Sequence, residues 1–84
     1  MRSICITFRS VTLAQRGERA LRAGGVDCVL QRTPRWMEEQ GCGYCLRIWA
    51  QEVETAVEQL RQKGIPMRRV YLQRKDGLLE EYTV

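Results

Sequence analysis

Twice along this chain the hydrophobic period switches from two residues to about 3.6, and that double switch most constrains the fold. In residues 2–8, Ile4, Ile6 and Phe8 alternate with Ser3, Cys5 and Thr7, the pattern of a half-buried strand. Leu13, Ala14, Gly17, Ala20 and Leu21 then recur at helical spacing. Ser10 or Thr12 can supply the N-cap, with Thr12 and Gln15 at capping-box spacing. Gly24-Gly25 supplies the stop. A second strand is expected over residues 26–31, and residues 33–43 read as irregular. Pro34 holds Thr33 extended there, and 36–40 has the composition of one helical turn.

The second switch repeats the first. Tyr44, Leu46 and Ile48 alternate with Cys45, Arg47 and Trp49, and a helix follows over residues 51–63 with Val53, Ala56, Val57 and Leu60 as its apolar stripe. Its acidic residues Glu52 and Glu54 lie at the positive end of the helix dipole, and Arg61 and Lys63 lie at the negative end. Gly64 and Pro66 end it. A fourth strand is expected over 67–73, with Val70 and Leu72 inward, then a turn at 75–77 and a tail over 78–84 that can add a strand. The order β-α-β-β-α-β gives an α+β ferredoxin-like sandwich: a four-stranded antiparallel sheet with two helices on one face. One domain, residues 1–84, is expected at this length.

That topology makes strands 1 and 3 central neighbours. With Ile4, Ile6, Phe8, Leu46 and Ile48 turned toward the helices, Cys5, Cys45, Arg47, Trp49 and Tyr71 share the uncovered face. An exposed face with Trp and Tyr invites cover, and a second copy of the chain is one expected occupant. Single exposed apolar residues are also ordinary on protein surfaces.

Lys and Arg number 14 against 10 Asp and Glu, a net charge of +4. The basic residues are spread along the chain, and no Lys/Arg-Gly-Phe/Tyr run of an RNA-binding sheet is present, so a nucleic-acid partner is not expected. No apolar run approaches the roughly 20 residues that span a membrane. The opening residues 1–6 turn polar too soon for a secretory leader, so the expected compartment is the cytoplasm, where thiols stay reduced. The chain has no His, which removes Cys/His dyads, Ser-His-Asp triads and His-containing metal sites.

Chemistry concentrates in Gly41-Cys42-Gly43-Tyr44-Cys45. Glycines on both sides of Cys42 leave its side chain uncovered, and their backbone N–H groups can gather into an anion-binding nest. Such donors favour thiolate, the nucleophilic form, and Arg35 can add positive charge. Three chemistries compete here. A CxxC redox pair normally sits at a helix N-terminus, whereas this one leads into a strand. A four-cysteine zinc site would need a second close pair, which Cys5 and Cys28 do not make. The third is a single nucleophilic Cys42, with Cys45 a resolving partner or a plain sheet residue. A glycine turn that happens to contain Cys is the bland alternative, and free Cys is commonly a small buried hydrophobe.

The segments Phe8-Arg9-Ser10 followed by Ala14 and Glu18, then Thr33-Pro34-Arg35, then 41–47, resemble a family of short bacterial selenium/sulfur carrier-like proteins. The resemblance spans roughly residues 4–71. It implies that Cys42 accepts a sulfane sulfur or selenium from a protein donor and passes it to a protein acceptor, with no cofactor. It further implies that Arg35 and the backbone near Gly43 stabilise the loaded anion, with Ser10 hydrogen-bonding the carried atom. Cys45 stands where the family pattern has a small apolar residue, a departure that can add a resolving thiol. The competing expectation is a homodimeric regulatory or ligand-binding module with no covalent chemistry.

Overall fold

The structure, a computed structural model, describes residues 2–32, 43–73 and 79–81. Strand β1 is Ser3–Phe8, helix α1 Val11–Ala23, β2 Val29–Arg32 and β3 Tyr44–Trp49. A short 3-10 turn, Ala50–Glu52, leads into α2, Val53–Gln62, followed by β4, Arg69–Gln73, and β5, Leu79–Glu81. The sheet order is β2-β3-β1-β4-β5, and every pairing is antiparallel. The first four strands and two helices form the expected ferredoxin-like sandwich. The short β5 extends the sheet at the β4 edge, the role open to the tail.

Register follows the alternation. Ile4 faces Ile48 and Ile6 faces Leu46 across β1 and β3, while Ile6 faces Val70 across β1 and β4. These side chains form one core with Ala14 and Leu21 of α1 and Val53, Ala56, Val57 and Leu60 of α2. Phe8 is completely buried. A Cβ built on Gly17 would lie 3.1 Å from the Phe8 ring, 3.2 Å from Leu46 and 3.4 Å from Leu60. A glycine in mid-helix normally costs stability. Here its missing side chain is the space that lets α1 settle onto the sheet.

Both helices end with the same device. Past α1, the Gly25 N–H donates to Arg22 O (3.1 Å) and the Val26 N–H to Leu21 O (2.8 Å). Past α2, the Gly64 N–H donates to Arg61 O (3.0 Å) and the Ile65 N–H to Leu60 O (2.9 Å). This is the Schellman pattern, which needs a left-handed residue at the turn, and Gly25 (φ +84°) and Gly64 (φ +68°) supply it. The hydrophobic residue that follows folds back into the core each time, with Val26 and Ile65 both buried.

That device corrects two boundaries. The second strand begins at Val29 rather than at residue 26, because Val26 is tied back to the helix it follows. The fourth begins at Arg69 rather than 67, after Ile65 has been held in the same way and Pro66 has removed a backbone donor. At the other end of α1 the Ser10 hydroxyl is the cap, accepting from the Leu13 N–H at 3.2 Å. The Thr12–Gln15 box is therefore not the start of the helix. The second helix, expected from residue 51, is α-helical only from Val53 because its first turn is the tighter 3-10 form. The helical turn expected at 36–40 and the turn at 75–77 lie outside the described residues.

Candidate functional site

The sheet brings two of the expected site residues, Ser10 and Gly43, to one end. Phe8 of β1 faces Tyr44 of β3, and Tyr44 also faces Arg32 of β2. The end of β1, the end of β2 and the start of β3 therefore coincide. Gly43, buried, immediately precedes β3, and Ser10 follows β1 by two residues. Thus Ser10 and Gly43 stand at the same end of the sheet. Cys42 is bonded to Gly43; it and Arg35 lie outside the described residues, as does Gly41.

Among the described residues, several arginines and one helix N-terminus stand at this end. Helix α1 begins here, capped by Ser10, with no acidic side chain in its first turn, so its positive dipole end is left unbalanced from within. Arg9 and Arg32, both exposed, flank the ends of β1 and β2. Arg68 and Arg69 enter β4 at the same end: the Arg68 N–H donates to Thr7 O at 2.8 Å, and Arg69 faces Thr7 in register. Buried Thr7 is fully satisfied, its hydroxyl accepting from the Arg69 N–H (2.9 Å) and donating to Arg69 O (3.2 Å). The Arg69 side chain lies 3.9 Å from Glu81 and donates to the Tyr71 hydroxyl at 3.3 Å. Of the arginines, local sequence points only to Arg35. The signal for the others was present: each arginine borders a strand, and this topology brings those borders together.

Ser10 has a structural task as well as a position. Its hydroxyl is occupied as a helix cap, so Ser10→Ala is expected to lower stability by about 1 kcal/mol, read from the denaturant midpoint. A Ser10→Asp variant, which keeps the cap, should retain wild-type stability. If Ser10→Ala leaves the midpoint unmoved, the hydroxyl is not holding the helix.

The remaining cysteines are all buried: Cys5 is 5% exposed, Cys28 4% and Cys45 0%, and none is in a disulfide. The alternation placed Cys5 and Cys45 on the helix-free face, and the register agrees. There they touch each other beneath Tyr71. The hydrogen bond to Cys45, reinforced by burial, pushes the Cys5 thiol well above the ordinary thiol range, and nearby Arg47 only partly offsets this. Burial also raises Cys28, against the pull of Arg22, and its thiol donates to Glu18 O at 3.9 Å. Cys45, expected as a partner of Cys42, is thus packed against Cys5 within the sheet.

A groove of about 410 Å³ is lined by Ser3, Asp27, Cys28, Val29, Arg47, Ile48 and Trp49, at the β2–β3 side of the sheet. Val29 and Trp49 are about half exposed there. No helix among the described residues is long and apolar enough to cross a membrane.

Together these features define a ferredoxin-like α+β sandwich whose sheet carries a basic, helix-capped end beside a glycine-flanked cysteine. The chain belongs to the family described as "Putative Se/S carrier protein-like", whose model matches residues 3–72. No curated protein matches the chain, and neither does any solved structure.

Proposed function

We propose that the protein is a cytoplasmic carrier of sulfane sulfur or selenium that uses Cys42 as its thiolate. The observation that carries this reading is convergence. The α1 N-terminus, Arg9, Arg32 and the Arg68-Arg69 pair stand at the sheet end to which Gly43, and hence Cys42, is joined. Positive charge and helix N-termini favour thiolate over thiol, and a persulfide anion is stabilised by the same field. Family membership supports the cargo, and burial of the other three cysteines leaves Cys42 as the candidate for reaction.

The transfer is an exchange at sulfur. The Cys42 thiolate attacks the outer sulfur of a donor protein's persulfide, the S–S bond of the donor breaks, and the donor cysteine leaves as thiolate. Cys42 then holds the sulfane sulfur until an acceptor takes it by the same reaction in reverse sense. Selenium follows the same path as Cys-S-SeH. Arg35 and the backbone around Gly43 would hold the loaded anion, with Cys45 as a resolving thiol only where the sheet opens. Such a carrier needs partner proteins and an exposed thiol, not a deep pocket.

Incubation with a cysteine desulfurase and cysteine is expected to add the mass of one sulfur atom to the intact protein. The addition should be reversed by a thiol reductant and absent in Cys42→Ser. An equal gain in Cys42→Ser would remove the proposal.

A second reading rests on the exposed Trp49 and Val29 of the groove: a homodimer through the helix-free face acting as a regulatory or ligand-binding module. Under that reading Cys42→Ser leaves function and partner binding intact, which separates the two.

A further inference from the structure

We propose that the groove between β2 and the end of β3 binds a free α-amino acid with an apolar side chain, its carboxylate on Arg47 and its ammonium on Asp27. Gly43 precedes the start of β3 and Trp49 ends it, roughly 20 Å away at about 3.3 Å per residue. The site therefore stands or falls apart from sulfur carriage.

The groove exists because one strand outruns its neighbour. β3 stays paired with β1 as far as Trp49, which faces Ser3, and the Ala50 N–H still donates to Arg2 O at 2.9 Å. Its pairing with β2 stops two residues sooner, at Arg47 facing Val29. The chain before Val29 is drawn toward α1 instead. The Val26 N–H donates to Leu21 O at 2.8 Å, and the Arg22 guanidinium donates to Cys28 O at 2.9 Å. Asp27 and Cys28 thus part from Ile48 and Trp49, and the gap between them is the groove of about 410 Å³. Hydrogen bonds fix both walls, so the groove is preformed, and its size falls within the roughly 300–1,000 Å³ of small-molecule sites.

The lining selects the ligand. Alternation turns Ser3, Val29, Arg47 and Trp49 to one side of the sheet. Val29 and Trp49, each about half exposed, offer an aliphatic and an aromatic wall. Arg47 and Asp27, both exposed, bring one cation and one anion to the same opening. A guanidinium presents a fork of donors that fits a carboxylate, and a carboxylate accepts from an ammonium group.

Simpler ligands meet only part of this lining. An anion would face the Asp27 carboxylate, and a cation the Arg47 guanidinium. A neutral apolar molecule would desolvate both charges and pair neither. A zwitterion with an apolar side chain answers the cation, the anion and the two walls together. Inside a peptide the amine and carboxyl are consumed as amides, so the ligand is the free amino acid.

NMR titration of isotope-labelled full-length protein with L-leucine tests this. Saturable shifts are expected at Arg47, at the backbone and indole N–H groups of Trp49 and at residues 27–29, with a Kd of about 1 mM or tighter. Leucinamide lacks the carboxylate and N-acetyl-leucine lacks the ammonium. Each should bind about tenfold more weakly or worse, the usual loss when a charged hydrogen bond goes unmade. Arg47→Gln should erase the preference for leucine over leucinamide alone, and Asp27→Asn the preference over N-acetyl-leucine alone. The wild-type comparison of three ligands needs no variant to fold. No saturable shift at about 10 mM leucine, where a site of about 1 mM Kd is filled to about nine-tenths, would overturn the assignment. Equal binding of the three ligands, or shifts centred away from the groove, would do the same. So would groove signals that move with protein concentration instead of leucine, which would give the face to a second copy.

Discussion

Replacing Phe8 by alanine is expected to cost about 3–5 kcal/mol, the usual range for emptying a buried aromatic site. The ring is fully buried at the point where β1 meets α1 across Gly17. Collapse into the gap would have to come from α1, but the helix already lies as close as a glycine allows. Domains of this size have about 5–15 kcal/mol of total stability, so the variant should unfold at a far lower denaturant concentration with its m-value unchanged. A loss below about 1 kcal/mol would mean that the helix can follow the sheet inward, and that Gly17 is not the close contact described.

Native alkylation should be nearly exclusive to one thiol. The chain has four cysteines. Cys5, Cys28 and Cys45 are 5%, 4% and 0% exposed, and Cys5 and Cys28 are also held toward the unreactive protonated form. They become accessible only when the sheet opens locally. An opening cost of about 3 kcal/mol slows them by a factor of roughly 100 or more. Iodoacetamide near neutral pH is therefore expected to modify Cys42 first, and all four cysteines only after denaturation, as read by peptide mass spectrometry. If Cys28 keeps pace with Cys42 in the native protein, the carrier reading loses its chemical basis.

These two experiments probe different layers of what could be read in advance. The alternation of Ile4, Ile6 and Phe8 with Ser3, Cys5 and Thr7 assigned each side chain to a face, because successive strand residues point opposite ways. The glycines at 24–25 and 64 marked the helix ends for an equally local reason. The strand boundaries were less legible. Val26 looks like a strand residue in isolation, yet its N–H is committed to Leu21 O, a preference that appears only once the helix exists. Likewise Ser10 and Thr12 are both plausible caps on paper, and the Leu13 N–H chose Ser10.

The candidate site divides in the same way. Cys42 between its glycines can be singled out from local chemistry alone, and family membership supports the proposed cargo. That Cys45 lies against Cys5 depends on strands 40 residues apart in sequence pairing in one register, since a shift of one residue would turn every side chain over. Convergence of Arg9, Arg32, Arg68 and Arg69 at one end is likewise a product of strand order.

Hydrophobic period, glycine placement and the capping hydroxyls, all features local to a few residues, determined the element order and the buried faces of this protein and singled out Cys42 as the candidate thiol. Only the assembled sheet decided which cysteines are sheltered, which two meet, and where the positive charge gathers, because those outcomes arise from contacts between segments far apart along the chain.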